Sequence, residues 1–280
     1  RVIISRDDSS VTVLLSWGGS NSPVLALALN AVCAPHFNGN GHADLAIVNS
    51  GSDTVTILIG DGYGNFSEDP ASPISSGNGE PSAVVVGDFN GDTFLDLAVT
   101  NKSANEVSIL FGAGDGTFGS PVNVGVGTSP SALIAGDLDG DLDLDLAVAN
   151  ESSDNVTILL NDGLGVFTEP NGPFAVGSEP LSIDVADFNG DTKKDLVVAN
   201  YGDDKLSILF GDGTGRFSAP VHIGTGTGSA PSSVVAADFN GDSKVDLSVA
   251  NSGTDEVLVF LNSVTLPAVT NPAATNVTAT

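Results

Sequence analysis

Asp88-Phe-Asn-Gly-Asp-Thr-Phe-Leu-Asp-Leu-Ala98 is one of five segments that share a single grammar. The others are His36-Phe-Asn-Gly-Asn-Gly-His-Ala-Asp-Leu-Ala46, Asp137-Leu-Asp-Gly-Asp-Leu-Asp-Leu-Asp-Leu-Ala147, Asp187-Phe-Asn-Gly-Asp-Thr-Lys-Lys-Asp-Leu-Val197 and Asp238-Phe-Asn-Gly-Asp-Ser-Lys-Val-Asp-Leu-Ser248. Their starts lie 49 to 52 residues apart, and self-similarity at such a period marks a repeat architecture. Around each segment the same series recurs. A run such as Ser82-Ala-Val-Val-Val-Gly87 leads into the Asp-rich loop, and Leu97-Ala-Val-Thr-Asn101 follows it. A polar turn and Val107-Ser-Ile-Leu-Phe111 come next, then a glycine turn, Gly112 to Phe118, and a weaker run, Pro121-Val-Asn-Val124. The runs are short, rich in β-branched residues and bounded by Gly, Asp and Asn, which is strand chemistry. No stretch keeps a helical apolar period for ten residues without a Gly or Pro break. Four short strands per repeat and no helix predict an all-β fold, a β-propeller of four-stranded antiparallel blades.

These residues carry a family resemblance. The five loops, with the glycine turns Gly60-Asp-Gly-Tyr-Gly-Asn-Phe66, Gly112 to Phe118, Asn161-Asp-Gly-Leu-Gly-Val-Phe167 and Gly211-Asp-Gly-Thr-Gly-Arg-Phe217, resemble the FG-GAP/VCBS propeller repeats of integrin α-subunit heads and bacterial surface proteins. The resemblance spans residues 1 to 262 as one propeller and leaves 263 to 280 as a Thr/Pro/Ala-rich tail, a linker or a donated strand. It implies a fold and leaves function open, since the family covers adhesion, sugar binding and structural roles.

The loop pattern Asp-x-Asn/Asp-Gly-Asp-x-x-x-Asp sets side-chain oxygens at positions 1, 3, 5 and 9. Calcium takes six to eight hard oxygen ligands, a tight turn brings alternate side chains to one side, and glycine at position 4 permits the turn. Position 7 is expected to add a backbone carbonyl. The glycine at 4, the absence of Glu at 12 and the lack of flanking helices separate the loop from an EF-hand. Calcium is therefore assigned to Asp88, Asn90, Asp92 and Asp96; to Asp137, Asp139, Asp141 and Asp145; to Asp187, Asn189, Asp191 and Asp195; and to Asp238, Asn240, Asp242 and Asp246. In the first loop only Asp44 is acidic, with Asn38 and Asn40 at positions 3 and 5, so weak or no calcium binding is expected there. His36 and His42 read as loop-exposed histidines rather than a transition-metal pair.

Charge points the same way. The 280-residue chain carries 8 Lys+Arg against 35 Asp+Glu, a net charge of −27, and the five loops hold 15 of those acids. Such a chain repels nucleic-acid phosphates and anionic lipid and favours cations. Four calcium ions would bring the charge to −19. With about three carboxylates per loop, an affinity near 10⁻⁴–10⁻³ M is expected, which suits an extracellular setting. One cysteine, Cys33, excludes an internal disulfide framework and reads as a small buried hydrophobe. No apolar run reaches the length of a membrane helix. The chain opens at Arg1 and reads as processed or trimmed, from a secreted protein.

The ends differ from the middle. Val2-Ile-Ile-Ser5 aligns with the strand that follows the loop, Val11 to Leu15 with the third strand and Val24 to Leu29 with the fourth. The last repeat ends after its third strand, at Asn262. Six blades follow, the first lacking its opening strand and the last its fourth; a fragment of a seven-bladed propeller is the alternative. Val264-Thr-Leu or Asn276-Val-Thr-Ala-Thr280 is the candidate donated strand, closing its own ring or filling a neighbouring chain head to tail.

Five sequons, Asn65, Asn101, Asn150, Asn155 and Asn276, are candidates for N-glycosylation, the first four at predicted turns or turn edges. Catalytic motifs are missing. Gly114 to Gly119 matches a dinucleotide fingerprint in letters only, since no helix follows. His222 has no nucleophile pattern beside it, and Trp17 and Tyr63 read as packing or rim residues. The expectation is a non-catalytic extracellular module for adhesion or binding of a protein or glycan, or a unit of a surface assembly. A strand-exchanging filament subunit and a lectin are the alternatives, and a hydrolase the least supported.

Overall fold

The computed structural model describes residues 36–262 except residue 78, together with the backbone of four flanking strands, Val2–Asp7, Ser10–Leu15, Leu29–Cys33 and Val277–Ala279. The chain divides into two compact units, Arg1–Gly125 and Val126–Thr280. Each repeat forms an antiparallel meander in which the first three strands pair in sequence order and the fourth, in two repeats split into two short pieces, pairs with the third. Each sheet takes its name from the first residue of its loop.

In the first unit, Val2–Asp7 and Ser10–Leu15 pair as a two-stranded sheet. The His36 sheet runs Leu29–Cys33, Leu45–Asn49, Thr54–Gly60, Phe66–Glu68. The Asp88 sheet runs Pro81–Gly87, Asp96–Asn101, Glu106–Leu110, Val122–Gly125. In the second unit, the Asp137 sheet holds Pro130–Gly136, Asp145–Asn150, Asn155–Asn161 and Phe167–Thr168. The Asp187 sheet holds Pro180–Ala186, Asp195–Asn200, Lys205–Leu209 and Val221–Gly224. The Asp238 sheet holds Pro231–Ala237, Asp246–Asn251, Glu256–Asn262 and Val277–Ala279. Its fourth place, for which the sequence offered two segments of the tail, is taken by Val277–Ala279, paired with Phe260, Leu261 and Asn262 of the same chain.

The fourth strand is broken where prolines fall. Phe66–Glu68 and Ile74–Ser75 flank Pro70 and Pro73, and Phe167–Thr168 and Phe174–Ala175 flank Pro170 and Pro173. Proline has no N–H for the ladder and is confined to such edges. The expected fourth strand over Val24 to Leu29 meets the structure only at its last residue: Leu29–Cys33 is the opening strand of the His36 sheet, and residues 16–28 lie outside the described residues.

The second strand of each repeat lies between two strands of its own sheet, and in the Asp187 sheet it also lies between two neighbouring layers. In the Asp88, Asp137 and Asp187 sheets all six of its residues are buried, which is why it reads as a continuous Leu-Ala/Val-Val run rather than an alternating one. In the Asp187 sheet its alternate side chains serve two different interfaces. One face of the His36 sheet (Phe37, Ala46, Val48, Val55, Ile57) packs on Val84, Leu97, Val99 and Leu110 of the Asp88 sheet. Leu138, Ala147, Ala149, Val156 and Ile158 meet Ile183, Leu196, Val198 and Leu209. Phe188, Val197, Ala199, Leu206 and Ile208 meet Val234, Leu247, Val249 and Phe260. Each such Val, Leu, Ile or Phe side chain contributes about 1.5–3 kcal/mol by leaving water. Along the inner strands, the Asp184 carboxylate accepts the Ala236 N–H at 2.8 Å and Ser182 Oγ accepts the Val234 N–H at 3.1 Å, joining consecutive sheets.

Ile158→Ala is expected to lower stability by about 2–5 kcal/mol, because it opens a cavity between two sheets. Leu164→Ala, at a turn tip 75% exposed, should change it by no more than about 0.5 kcal/mol. Urea unfolding of the two variants checks this; equal losses would contradict the layer assignment.

Candidate functional site

The last aspartate of each loop is fully buried and spans two elements. Asp96 accepts the Phe89 N–H and the Gly112 N–H, both at 2.8 Å, one on each carboxylate oxygen. The same pair of bonds recurs at Asp44 (Phe37, Gly60), Asp145 (Leu138, Asn161), Asp195 (Phe188, Gly211) and Asp246 (Phe239, Asn262), all at 2.8–3.0 Å. One donor is the second loop residue; the other stands sixteen residues on, at the end of the third strand. Position 9 therefore ties the loop to the far strand of its own sheet.

The remaining loop residues form a chain of Asx turns. Asp187 accepts Gly190 N–H at 2.6 Å and Thr192 N–H at 2.8 Å, Asn189 accepts Asp191 N–H at 2.8 Å, and Asp191 accepts Lys193 N–H at 3.0 Å. The Asp88, Asp137 and Asp238 loops repeat this pattern. Glycine at position 4 has positive φ throughout, 75° at Gly91 and 80° at Gly241, as the turn requires. Position 6 shares that conformation at Thr93, Leu142, Thr192 and Ser243, which the sequence pattern did not announce. The adjacent N–H bonds hold these residues there despite their side chains.

Among the described residues, one of these loops brings three carboxylates together. In the Asp137 loop, one oxygen each from Asp137, Asp139 and Asp145 lie within 4.8 Å of one another. Oxygens on opposite sides of one calcium, at 2.3–2.6 Å from it, stand about 4.6–5.2 Å apart, so three oxygens this close fit within one calcium shell. The set is all oxygen, whereas zinc prefers nitrogen and sulfur. The cluster is strained electrostatically without a cation. Burial pushes Asp145 up to about 6, against its amide donors, and Asp139 and Asp141 add repulsion. Burial likewise raises Asp96 to about 6 and Asp195 to about 7, while burial and then the charge of Asp141 raise Asp139. Asp238 is held low by the Ser243 N–H and its other amide donors.

The first loop keeps the architecture without the charge. Asn38 and Asn40 make the same Asx turns, to Asn40 N–H and His42 N–H, and Asp44 makes the same clamp. His36 and His42 are both exposed. Two sequons are corrected. Asn101 and Asn150 do not sit at exposed turn edges; they are fully buried, with Asn101 Nδ2 donating to Ser108 Oγ at 2.7 Å and Asn150 Nδ2 to Thr157 Oγ1 at 3.0 Å. A glycan has no room at either. Asn65 is exposed and Asn155 half-buried; Asn276 and Trp17 lie outside the described residues. Tyr63 projects from its glycine turn, 86% exposed. His222 is exposed on Val221–Gly224, its Nδ1 3.1 Å from the buried Ser207 Oγ. Cys33 closes the strand Leu29–Cys33.

A second constellation has no counterpart among the sequence expectations. An asparagine ends the second strand of every repeat, Asn49, Asn101, Asn150, Asn200 and Asn251, at the opposite end from the Asp loop. In the first four, Nδ2 donates to a Thr or Ser hydroxyl on the third strand. The following turn holds Asp53, Asp154 and Asp204 at positive φ, where their carboxylates accept N–H groups of the chain entering the next sheet: Glu80, Glu179 and Ala230. The only sequence signal was their recurrence at the repeat period.

Repeated four-stranded meanders stacked face to face place the protein in the β-propeller class. A sequence profile described as FG-GAP-like repeat matches residues 36–99, 88–148, 137–198 and 187–249, and the chain belongs to that family. No curated protein matches it. Among solved structures it is similar to a lectin of Agrocybe aegerita described as recognising non-reducing terminal N-acetylglucosamine, at 18% identity and a TM-score of 0.59, over 91% of this chain and 72% of that one. It is similar to BBS1N, solved in complex with ARL6DN, at 17% identity and TM-score 0.58, over 90% and 72% of the chains. A catalytically inactive variant of virginiamycin B lyase from Staphylococcus aureus aligns at 13% identity and TM-score 0.56, over 91% and 72%. At these identities the likeness is one of fold.

Asp96, Asp145 and Asp195 have folded-state values above their unfolded ones, so their stabilising effect is complete near pH 4 and lost as pH rises through about 6 to 7. With chelator present, urea stability should therefore rise when pH is lowered from about 8 to about 5, and fall again below about 4, where Asp238 takes up its proton. Asp195→Asn should flatten the upper part of that profile. Stability that falls steadily from pH 8 to 5 would contradict this reading.

Proposed function

We propose that the protein is a non-catalytic, calcium-stabilised propeller that works outside the cell as a binding or structural module. The convergence of the Asp137, Asp139 and Asp145 oxygens carries the calcium reading, in a loop whose Asx turns recur in three further repeats. The ligands are the residues at positions 1, 3, 5 and 9 of the Asp88, Asp137, Asp187 and Asp238 loops. The ion supplies the positive charge that lets buried position-9 carboxylates stay ionised while they hold the third strand. Chemistry on a substrate has no support in the repeat: the acids recur at one spacing, where an active site is built once. The partner is a protein or glycan met at the exposed loop and turn tips, such as Tyr63, Leu142 and Leu164. The lectin and BBS1N likenesses are compatible with either class.

Calcium titration by calorimetry and thermal melting tests the reading. Binding near 10⁻⁴–10⁻³ M and a melting temperature that rises with calcium are expected. Asp139→Asn should weaken one site and leave the others. A melting temperature identical in calcium and in excess EDTA would overturn the calcium assignment. A glycan array and a cell-surface protein screen, run in calcium, separate the two partner classes.

A further inference from the structure

Five Asn-Gly pairs lie in the loops: Asn38-Gly39 and Asn40-Gly41 in the His36 loop, and Asn90-Gly91, Asn189-Gly190 and Asn240-Gly241 in the Asp88, Asp187 and Asp238 loops. Asn171-Gly172 lies outside the loops, and Asn78 outside the described residues. In an Asn-Gly pair the backbone nitrogen closes most readily on the side-chain amide, because glycine has no Cβ to obstruct the ring. All five loop glycines have positive φ, from 69° at Gly39 to 80° at Gly241, so backbone conformation does not separate them. Nor does the amide carbonyl. Asn38 and Asn40 Oδ1 accept the N–H two residues on at 3.0 and 2.8 Å, as Asn90, Asn189 and Asn240 do at 3.0, 2.8 and 2.8 Å.

The glycine nitrogen does separate them. In the Asp88, Asp187 and Asp238 loops the position-4 N–H donates to the position-1 carboxylate, at 2.8, 2.6 and 2.6 Å. The position-6 N–H donates to the other oxygen of the same carboxylate, at 2.8 Å in each loop. A carboxylate so placed holds the proton on nitrogen and repels the anion that its loss would leave. Position 1 of the first loop is His36, which is exposed. Among the described residues neither Gly39 N–H, at position 4, nor Gly41 N–H, at position 6, has an acceptor. Gly39, Asn40 and Gly41 are exposed, and beyond the chain neighbours no atom lies within 4 Å of where a Cβ would stand on either glycine. Both nitrogens are thus unclamped, in open space, each next to an amide carbonyl polarised by a hydrogen bond.

We propose that Asn38 and Asn40 are sites of spontaneous deamidation, from which Asn90, Asn189 and Asn240 are protected. The Gly39 nitrogen gives its proton to water or hydroxide and bonds to Asn38 Cγ. The charge passes to Oδ1, where the Asn40 N–H stabilises it. The Cγ–Nδ2 bond breaks, and ammonia leaves with a proton from water. Water then opens the cyclic imide at either carbonyl and leaves a carboxylate in place of the amide, on an aspartyl or isoaspartyl residue. Gly41 reacts with Asn40 in the same way, with the His42 N–H at Oδ1. The aspartyl products raise the acids of this loop from one to three, at positions 3, 5 and 9, the number in the Asp88 loop. That consequence for calcium rests on the calcium reading above; the modification does not.

Peptide mapping by mass spectrometry, on the full folded chain kept in calcium at mildly alkaline pH, tests it, and the same chain in urea gives the rate that each sequence allows. Digestion beside aspartate separates the loops, and fragment ions locate the amide-to-acid mass gain. Asn38 and Asn40 should convert at close to their unfolded rates. Asn90, Asn189 and Asn240 should be slowed by about tenfold or more, the effect of a hydrogen bond to a charged acceptor. His36→Asp returns the missing carboxylate and should slow both first-loop sites by a similar factor; it is made at an exposed position, and an unchanged melting temperature shows that it folds. His36→Asn, a neutral acceptor, should slow them less. Protection at Asn38 and Asn40 equal to that of the other three would overturn the proposal, and so would a folded His36→Asp chain in which both rates are unchanged. Calorimetry on an Asn38→Asp/Asn40→Asp chain should count one calcium more than wild type. An equal count overturns the consequence while the modification stands, and no calcium in either chain overturns the calcium reading itself.

Discussion

A carboxylate with no exposure to water stands at the start of the second strand in every repeat, and the rest of the blade is arranged around it. Each of its oxygens takes one backbone N–H, from the loop and from the end of the third strand. The buried second loop residue, such as Phe37 or Leu138, anchors the loop alongside that bridge. The bridge has a cost, since a buried charge is poorly solvated, and the raised values of Asp96, Asp145 and Asp195 measure it. The Asx turns that precede it solve a related problem, by using side-chain oxygens to satisfy amides in a turn too tight for backbone pairing.

In the Asp137 loop the carboxylates that accept backbone N–H groups, Asp137, Asp139 and Asp145, are also the three whose oxygens converge. The His36 loop keeps the same clamp and Asx turns with a single acid, so hydrogen bonds make the arrangement there. At the other end of the strands, Asn101 and its equivalents and the left-handed Asp53, Asp154 and Asp204 do the corresponding work for the chain entering the next sheet. The two ends of a blade are thus held differently. One end has acids with room for a cation; the other relies on strand-end amides, hydroxyls and a single turn aspartate.

The repeat also explains why the last sheet differs. A residue's burial here depends on the next repeat as much as on its own strand. Val156 and Val257 occupy equivalent places in equivalent strands, yet one is buried and the other exposed. No local rule separates them: Val156 is buried because it lies in the layer shared with the Asp187 sheet.

The repeat period, the strand count per repeat, the glycine at position 4 and the grouping of acids were all legible in the sequence, because each is a local requirement of turn geometry or strand chemistry repeated along the chain. The burial of Asn101 and Asn150 was not legible, since Asn-x-Ser reads alike on a turn and at the end of a covered strand. Nor was the division of labour within the loop, where position 9 clamps and the others turn: four carboxylates look equivalent until the third strand returns sixteen residues later to meet one of them. The fourth strand of the Asp238 sheet came from the tail by long-range pairing; the sequence offered Asn276–Thr280 as one of two candidates without choosing between them or between its own sheet and a neighbour's. Sequence by itself determined what each repeat is, because strands and turns answer to neighbours a few residues away. Tertiary structure alone decided which faces are covered and which oxygens are spent, because those depend on what the chain brings back from about fifty residues away.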